Sequence, residues 1–242
     1  MDLTFLQKAP VRKGLEKWRE FSCGAALAFC NIRPEEGHEV STCFLWAVSV
    51  AGQIATGTSL YDFRDFCFEL AEAAGHDFVM MVYNTTEFFQ FVRKYFDDPE
   101  VFADKEREPL DAKLLPGLHL RSGKMLSGMS LQELGKQYNC AIRLPSYEFP
   151  ALGSDSDIPL DVIALVQEEA RAMELLLAEH IRRAGSIAKV PMTKTGYVRR
   201  YLRDRLLWGR GDGCTKADFF RFDRIPKNYA GHAAYRNGIQ VS

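Results

Sequence analysis

The sequence lacks any apolar run near the roughly 18–20 residues that a membrane-spanning helix needs, and its N-terminus has no basic segment leading into an apolar core. Neither a transmembrane segment nor a signal peptide is expected. There is no C-x-x-C pair among the six cysteines (Cys23, Cys30, Cys43, Cys67, Cys140, Cys214). The five histidines do not stand at ligand spacing from them, which argues against a zinc site. The cysteines read as reduced, mostly buried thiols of a cytosolic protein. Internal repeats, low-complexity tracts and a Ser/His/Asp or Cys/His constellation are also missing. The Gly209–Gly213 stretch (GRGDG) lacks the Lys-Ser/Thr of a phosphate loop. The composition of the 242 residues is 47% hydrophobic and 26% charged with a formal net charge of −1, ordinary for a globular chain and far from that of a disordered one.

The small net charge hides an asymmetry. Residues 181–242 hold fourteen Lys/Arg against four Asp/Glu, leaving 17 basic and 28 acidic residues in 1–180. A basic C-terminal quarter points to a polyanion, or to pairing with the acidic remainder. Along the chain, residues 1–23 read as a lead-in with a short helix. Ala25–Cys30, Thr42–Val50 and Gln53–Thr58 read as strands, the last two joined by a hairpin at Ala51-Gly52. Helical spacing predicts a helix over Leu60–Ala74, with Ser59 as its N-cap and Gly75 as its stop. Phe78–Val82 reads as a central strand, and Thr86–Phe96 as an aromatic-faced helix. Asp97–Pro116, with three prolines, reads as an exposed loop, and Leu118–Met125 as a strand. Ser130 to Glu133 has capping-box spacing. Leu144–Pro159 reads as irregular, Ile158–Arg183 as a long helix, and Tyr197–Trp208 as a basic one. The order implies an α/β fold with a mixed sheet flanked by helices.

Several ordered segments resemble the N-terminal 3′–5′ exonuclease domain of protein-primed family-B DNA polymerases of phages and linear plasmids. Ala28-Phe29-Cys30-Asn31-Ile32 stands where that family has D-F-E-T-T. Tyr83-Asn84 stands where it has H-N. Met129-Ser-Leu-Gln-Glu-Leu-Gly135, Tyr147-Glu148 and Ile158-Pro-Leu-Asp161 are similar to its S-L helix, its D-Y step and the start of its late helix. Pro191-Met-Thr-Lys-Thr-Gly-Tyr-Val-Arg-Arg200 is similar to a basic stretch that follows the exonuclease motifs. Ala234-Tyr235-Arg236-Asn237-Gly238 looks like the Y-x-G-G/A motif that joins exonuclease to polymerase. The resemblance implies a ribonuclease-H-like fold of the DnaQ type, with an exonuclease-like domain over 24–185 and a basic helical extension and linker over 186–242. No polymerase motif appears in the 242 residues.

Hydrolysis by that fold uses two divalent cations, Mg or Mn, about 4 Å apart and held by clustered carboxylates. The family's ligand positions fall here on Ala28, Cys30, Phe88, Leu165 and Glu169, so only one keeps a carboxylate. A shift by one residue would offer Glu87 in place of Phe88. The expectation is a catalytically degenerate site holding no cofactor, with Glu169 on the helix surface. What remains is binding of single-stranded DNA, by Tyr83 and Asn84 near the former cleft and by Lys194, Tyr197, Arg199, Arg200, Arg203, Tyr235 and Arg236 in the basic segment. Further partners implied are a terminal protein or a separate polymerase domain, in the cytoplasm of a bacterial host. Two alternatives stay open. In one, Glu35 or Glu36 joins Glu87 and Glu169 in an active metal-dependent exonuclease. In the other, the fold is a protein-interaction scaffold without DNA binding.

Overall fold

The computed structural model describes residues 1–13, 17–32, 40–105, 108–142 and 158–208. The chain divides into two units, Met1–Thr193 and Lys194–Ser242. Tyr147-Glu148, Glu35, Glu36, Cys214, Tyr235 and Arg236 lie outside the described residues.

The first unit begins with a 3₁₀ turn over Thr4–Lys8, followed by a two-stranded antiparallel ribbon of β1 (Val11–Lys13) and β2 (Lys17–Arg19). The lead-in therefore carries a ribbon as well as its one short helical turn. Arg19 ties the ribbon down: its Nε donates to the Ala74 carbonyl at 2.7 Å and its guanidinium also donates to the Ala9 carbonyl at 2.8 Å. Leu6, Trp18 and Phe21 are buried.

The main sheet has seven strands. β3 (Cys23–Ile32), β4 (Val40–Val50) and β5 (Gln53–Gly57) form an antiparallel meander. Its β4–β5 turn is the expected Ala51-Gly52, both residues at positive φ (46° and 84°), the backbone that matches strand twist in a two-residue hairpin. β6 (Phe78–Val82) is buried along its whole length, as a continuous apolar run in a central strand should be. It pairs in parallel with β3 on one side and with β9 (Leu118–Ser122) on the other.

The segment read as a loop is instead a pair of strands, β7 (Glu100–Lys105) and β8 (Glu108–Leu115), which complete the order β5-β4-β3-β6-β9-β8-β7. Prolines mislead here because each has a tolerated place. Pro99 precedes β7, Pro109 faces the irregular β7 pairing at Ala103, and Pro116 opens the β8–β9 turn, where Gly117 has φ 92°. The strand expected to reach Met125 stops at Ser122, whose hydroxyl caps a short helix α3 (Gly123–Ser127).

Helices cover both faces, following the period of two along each strand. Cys23, Ala25 and Leu27 of β3 join Phe78, Met80 and Val82 of β6 on one face. There they meet α1 (Leu60–Ala74) and α2 (Thr85–Val92) through Phe63, Leu70, Phe88 and Val92. Ser59 and Gly75 cap α1 as expected. α2 is shorter than the spacing suggests, passing into a 3₁₀ turn at Arg93–Tyr95. On the opposite face Ala26 and Ala28 of β3 and Leu45 and Ala47 of β4 pack on Val162, Val166 and Ala170 of α5 (Leu160–Ala184). The alanines let the helix approach closely. α4 (Leu131–Tyr138) has the complete capping box of Ser130 and Glu133.

Beyond the β3–β6 part of the sheet, the α5 side of β7, β8 and β9 carries polar residues. Their register forms two cross-strand rows, Glu100–Lys113–His119 and Phe102–Asp111–Arg121. Asp111 is buried and accepts from His119 Nδ1 at 2.9 Å and from Arg121 Nε at 2.7 Å. Burial opposes its charge, but those two partners prevail and hold the carboxyl below its ordinary value. The Arg121 guanidinium lies 5.2 Å from the Trp18 ring centre, and the His119 ring 4.9 Å from it.

The five described cysteines are free, and all but Cys43 are buried. Burial pushes the Cys23 and Cys67 thiols far up, Cys43 to about 12 and Cys140 to about 11. The second unit contributes one described helix, α6 (Lys194–Trp208). Among the described residues no helix is long and apolar enough to cross a membrane.

Candidate functional site

β3 and β6 run parallel, so their C-terminal ends meet at one end of the sheet, where α/β folds gather binding residues. At β6 the chain leaves through Tyr83 and Asn84 into α2. Asn84 is the N-cap, its Oδ1 accepting from the Thr86 amide at 3.2 Å. That bond assigns the amide orientation and leaves the NH₂ group as a donor. The Tyr83 carbonyl is fixed by two donors, the Ser122 hydroxyl at 3.1 Å and the Lys124 amide at 3.0 Å. The Tyr83 hydroxyl donates to the Met129 carbonyl at 3.4 Å. Partial burial raises the phenol above its ordinary value, and the carboxylates of Glu169, Glu133 and Glu87 add to this against a hydrogen bond with the Leu131 backbone. Tyr83 is thus a neutral donor at physiological pH.

A cleft of about 30 Å³ lies between β3, the Tyr83-Asn84 corner, α2 and α5, and Glu87 and Glu169 both line it. Such a volume takes an ordered water and not a nucleotide. Glu169 is only 6% exposed, which corrects the expectation of a surface residue. A single apolar stripe underestimates α5, because this helix is packed by β3 and β4 on one side and by α3 and α4 on another.

The other expected metal positions offer no ligand oxygen. Ala28 is fully buried beneath α5, and Cys30 is buried. Phe88 is buried edge-on against Phe63, and Leu165 is half-buried. Among the described residues no group of three or more His, Cys, Asp or Glu could hold a metal. Glu87 and Glu169 alone do not fit a pair of divalent cations, which need several bridging oxygens.

In the second unit Lys194 and Arg199 are exposed on α6, and Tyr197 and Arg200 are half-buried. Arg203 lies on the same helix, but its side chain is outside the described set.

Sequence reasoning missed two buried polar groupings. Glu174 of α5 accepts from Ser22 Oγ at 2.9 Å, from the Gly52 amide at 2.9 Å and from Ser49 Oγ. It fastens the β4–β5 turn to α5. The other is the Asp111–His119–Arg121 group. Its signal was the alternation in Leu118-His-Leu-Arg-Ser122, which puts His119 and Arg121 on one face of a strand.

No protein-family model matches the sequence, and no curated protein does. Among solved structures, phi29 DNA polymerase complexed with single-stranded DNA is similar, with a TM-score of 0.58 and 9% identity. The match covers 78% of this chain and 36% of that one. The same polymerase complexed with primer-template DNA gives a TM-score of 0.53 at 10% identity, with the same coverage. This chain spans about a third of the length of those polymerase chains, and what it shares with them at such identity is the fold.

Proposed function

We propose that this chain is a DNA-handling domain of a protein-primed family-B DNA polymerase system. In this reading it has a ribonuclease-H-like exonuclease fold over 24–185, lacks the means to cleave, and holds single-stranded DNA during phage or plasmid replication. One observation carries the reading. Tyr83, Asn84 and Glu169, matched to exonuclease motifs by sequence order alone, line one cleft in a fold like that of phi29 DNA polymerase, while the remaining motif positions are Ala28, Cys30, Phe88 and Leu165.

The chemistry of binding follows from the charges. Two carboxylates in the cleft repel phosphate, so the strand's backbone needs another source of positive charge. Lys194, Arg199, Arg200 and Arg203, with the Tyr235-Arg236 linker motif, would supply it in residues 186–242. The Asn84 NH₂ group, beside the Tyr83 ring, would offer a donor to base or sugar acceptors crossing the cleft mouth. A terminal protein or a polymerase domain would be the protein partner.

The test is fluorescence anisotropy of a 5′-labelled single strand at low and moderate salt, with the same strand incubated with manganese and resolved by length. Salt-sensitive binding with an intact strand is expected. Shortening from the 3′ end would overturn the loss of cleavage. No binding at low salt would overturn DNA handling and point to a protein partner.

A further inference from the structure

The polar face of β7, β8 and β9 forms a pocket of about 300 Å³, separate from the cleft at Tyr83. Trp18, His119 and Arg121 form one part of its wall, Lys113 and Glu100 another, and the Phe102 ring, 60% exposed, stands at its rim. The Asp111 carboxylate can only accept, so the His119 nitrogen facing it, Nδ1, carries a proton. In the neutral tautomer that this bond selects, the lone pair lies on Nε2. That nitrogen is buried and has no hydrogen-bond partner, on a residue only 9% exposed. An enclosed acceptor without a donor is rare in native proteins and costs stability. Buried ion pairs add little net stability, and charged groups gathered at a cavity are candidates for a functional site.

The pocket's charges select the ligand. Arg121 is balanced by Asp111, and Lys113 stands across from Glu100. A pocket so balanced draws neither a polyphosphate nor a bare cation. Its remaining features are an aromatic rim, an indole in the wall and one acceptor nitrogen, within a volume suited to a small planar molecule. We propose that this pocket binds a nucleobase, of a free nucleoside or of an unpaired nucleotide in a strand, which packs on Phe102 and donates an amino or ring N–H to His119 Nε2. Nε2 is enclosed, so the wall shifts slightly as the donor enters. This site is independent of the DNA-handling cleft and shares no lining residue with it.

The experiment titrates the full chain, ¹⁵N-labelled in histidine, with adenosine, cytidine and N6,N6-dimethyladenosine, which keeps the ring but has no amino donor. Adenosine or cytidine should move the Nε2 resonance of one histidine saturably and independently of salt, and the dimethylated probe should not. His119→Phe should erase that resonance and, with Phe102→Ala, weaken binding by about tenfold, the loss of one hydrogen bond or one stacking contact. Phe102 is exposed, so its variant reports even if His119→Phe fails to fold. A short oligonucleotide moving Nε2 where nucleosides do not would assign the base to a strand. The proposal is overturned if neither nucleosides nor an oligonucleotide move a histidine resonance, or if binding persists unchanged in Phe102→Ala. Anisotropy changes governed by salt and by Arg199 and Arg200 belong to the other site and leave this outcome untouched.

Discussion

Gly24 of β3 lies against the Ala170 carbonyl of α5 so closely that a Cβ on Gly24 would stand 2.3 Å from that oxygen, and as close to the Glu174 amide nitrogen. Both atoms are backbone, so nothing flexible can yield. The glycine therefore sets the spacing between the sheet and the helix that carries Glu169. Gly24→Ala is expected to cost about 3 kcal/mol, from overpacking that moves a helix or a strand. Urea unfolding measures it, and a loss below about 0.5 kcal/mol would show that α5 does not set the spacing.

Glu174→Ala leaves the Ser22 and Ser49 hydroxyls and the Gly52 amide without their shared acceptor. The expected loss is about 3 kcal/mol, since the carboxylate is buried and each donor loses a charge-assisted bond. Hydrogen exchange at Gly52 should speed up with it. A stable variant with an unchanged Gly52 amide would contradict the fastening role.

Asp111 gives the protein a pH-dependent contribution. Its folded value lies below the unfolded one, so its stabilisation is complete above the ordinary carboxylate value of about 3.9 and fades as pH falls through the lower folded value. Asp111→Asn removes that contribution and leaves buried Arg121 without its counter-charge. The stability gap between wild type and variant should be widest near neutral pH and shrink below about pH 4. Chemical unfolding across pH 3–7 tests this; a gap that stays constant would remove Asp111 from the acid limb.

For DNA binding, the double variant Arg199→Ala/Arg200→Ala should weaken the single-strand complex. It should also flatten the dependence of log affinity on log salt by about one to two ion equivalents. Anisotropy over a salt series gives both numbers, and an unchanged slope would acquit these residues of phosphate contact.

The parts of the fold that were legible in the sequence are those governed by local rules. Ser59 and Gly75 bracket α1 through cap chemistry, Ser130 and Glu133 start α4, and the apolar run at Phe78–Val82 is the central strand. What escaped depends on contacts distant in sequence. β7 and β8 are charged and proline-flanked, and their strand character comes from pairing on β9. Glu169 and Glu174 look like solvated helix positions until β3, β4, α3 and α4 close around α5. In the cleft, Tyr83, Asn84 and Glu169 were reached through motif order. Their meeting depends on the parallel β3–β6 pairing, which no local pattern encodes.

The buried cysteines have a practical consequence. Alkylating reagents attack the thiolate, and burial holds the Cys23 and Cys67 thiols well above their ordinary value and Cys140 at about 11, so all three are almost wholly protonated at neutral pH. The folded protein is therefore nearly silent to a maleimide at Cys23, Cys67 and Cys140, and each thiol becomes a clock for the opening of its own surroundings. Cys23 and Cys67 time the core shared by β3 and α1, and Cys140 times the end of α4. Site-resolved labelling would read, with no introduced probe, the order in which the layers of the domain come apart.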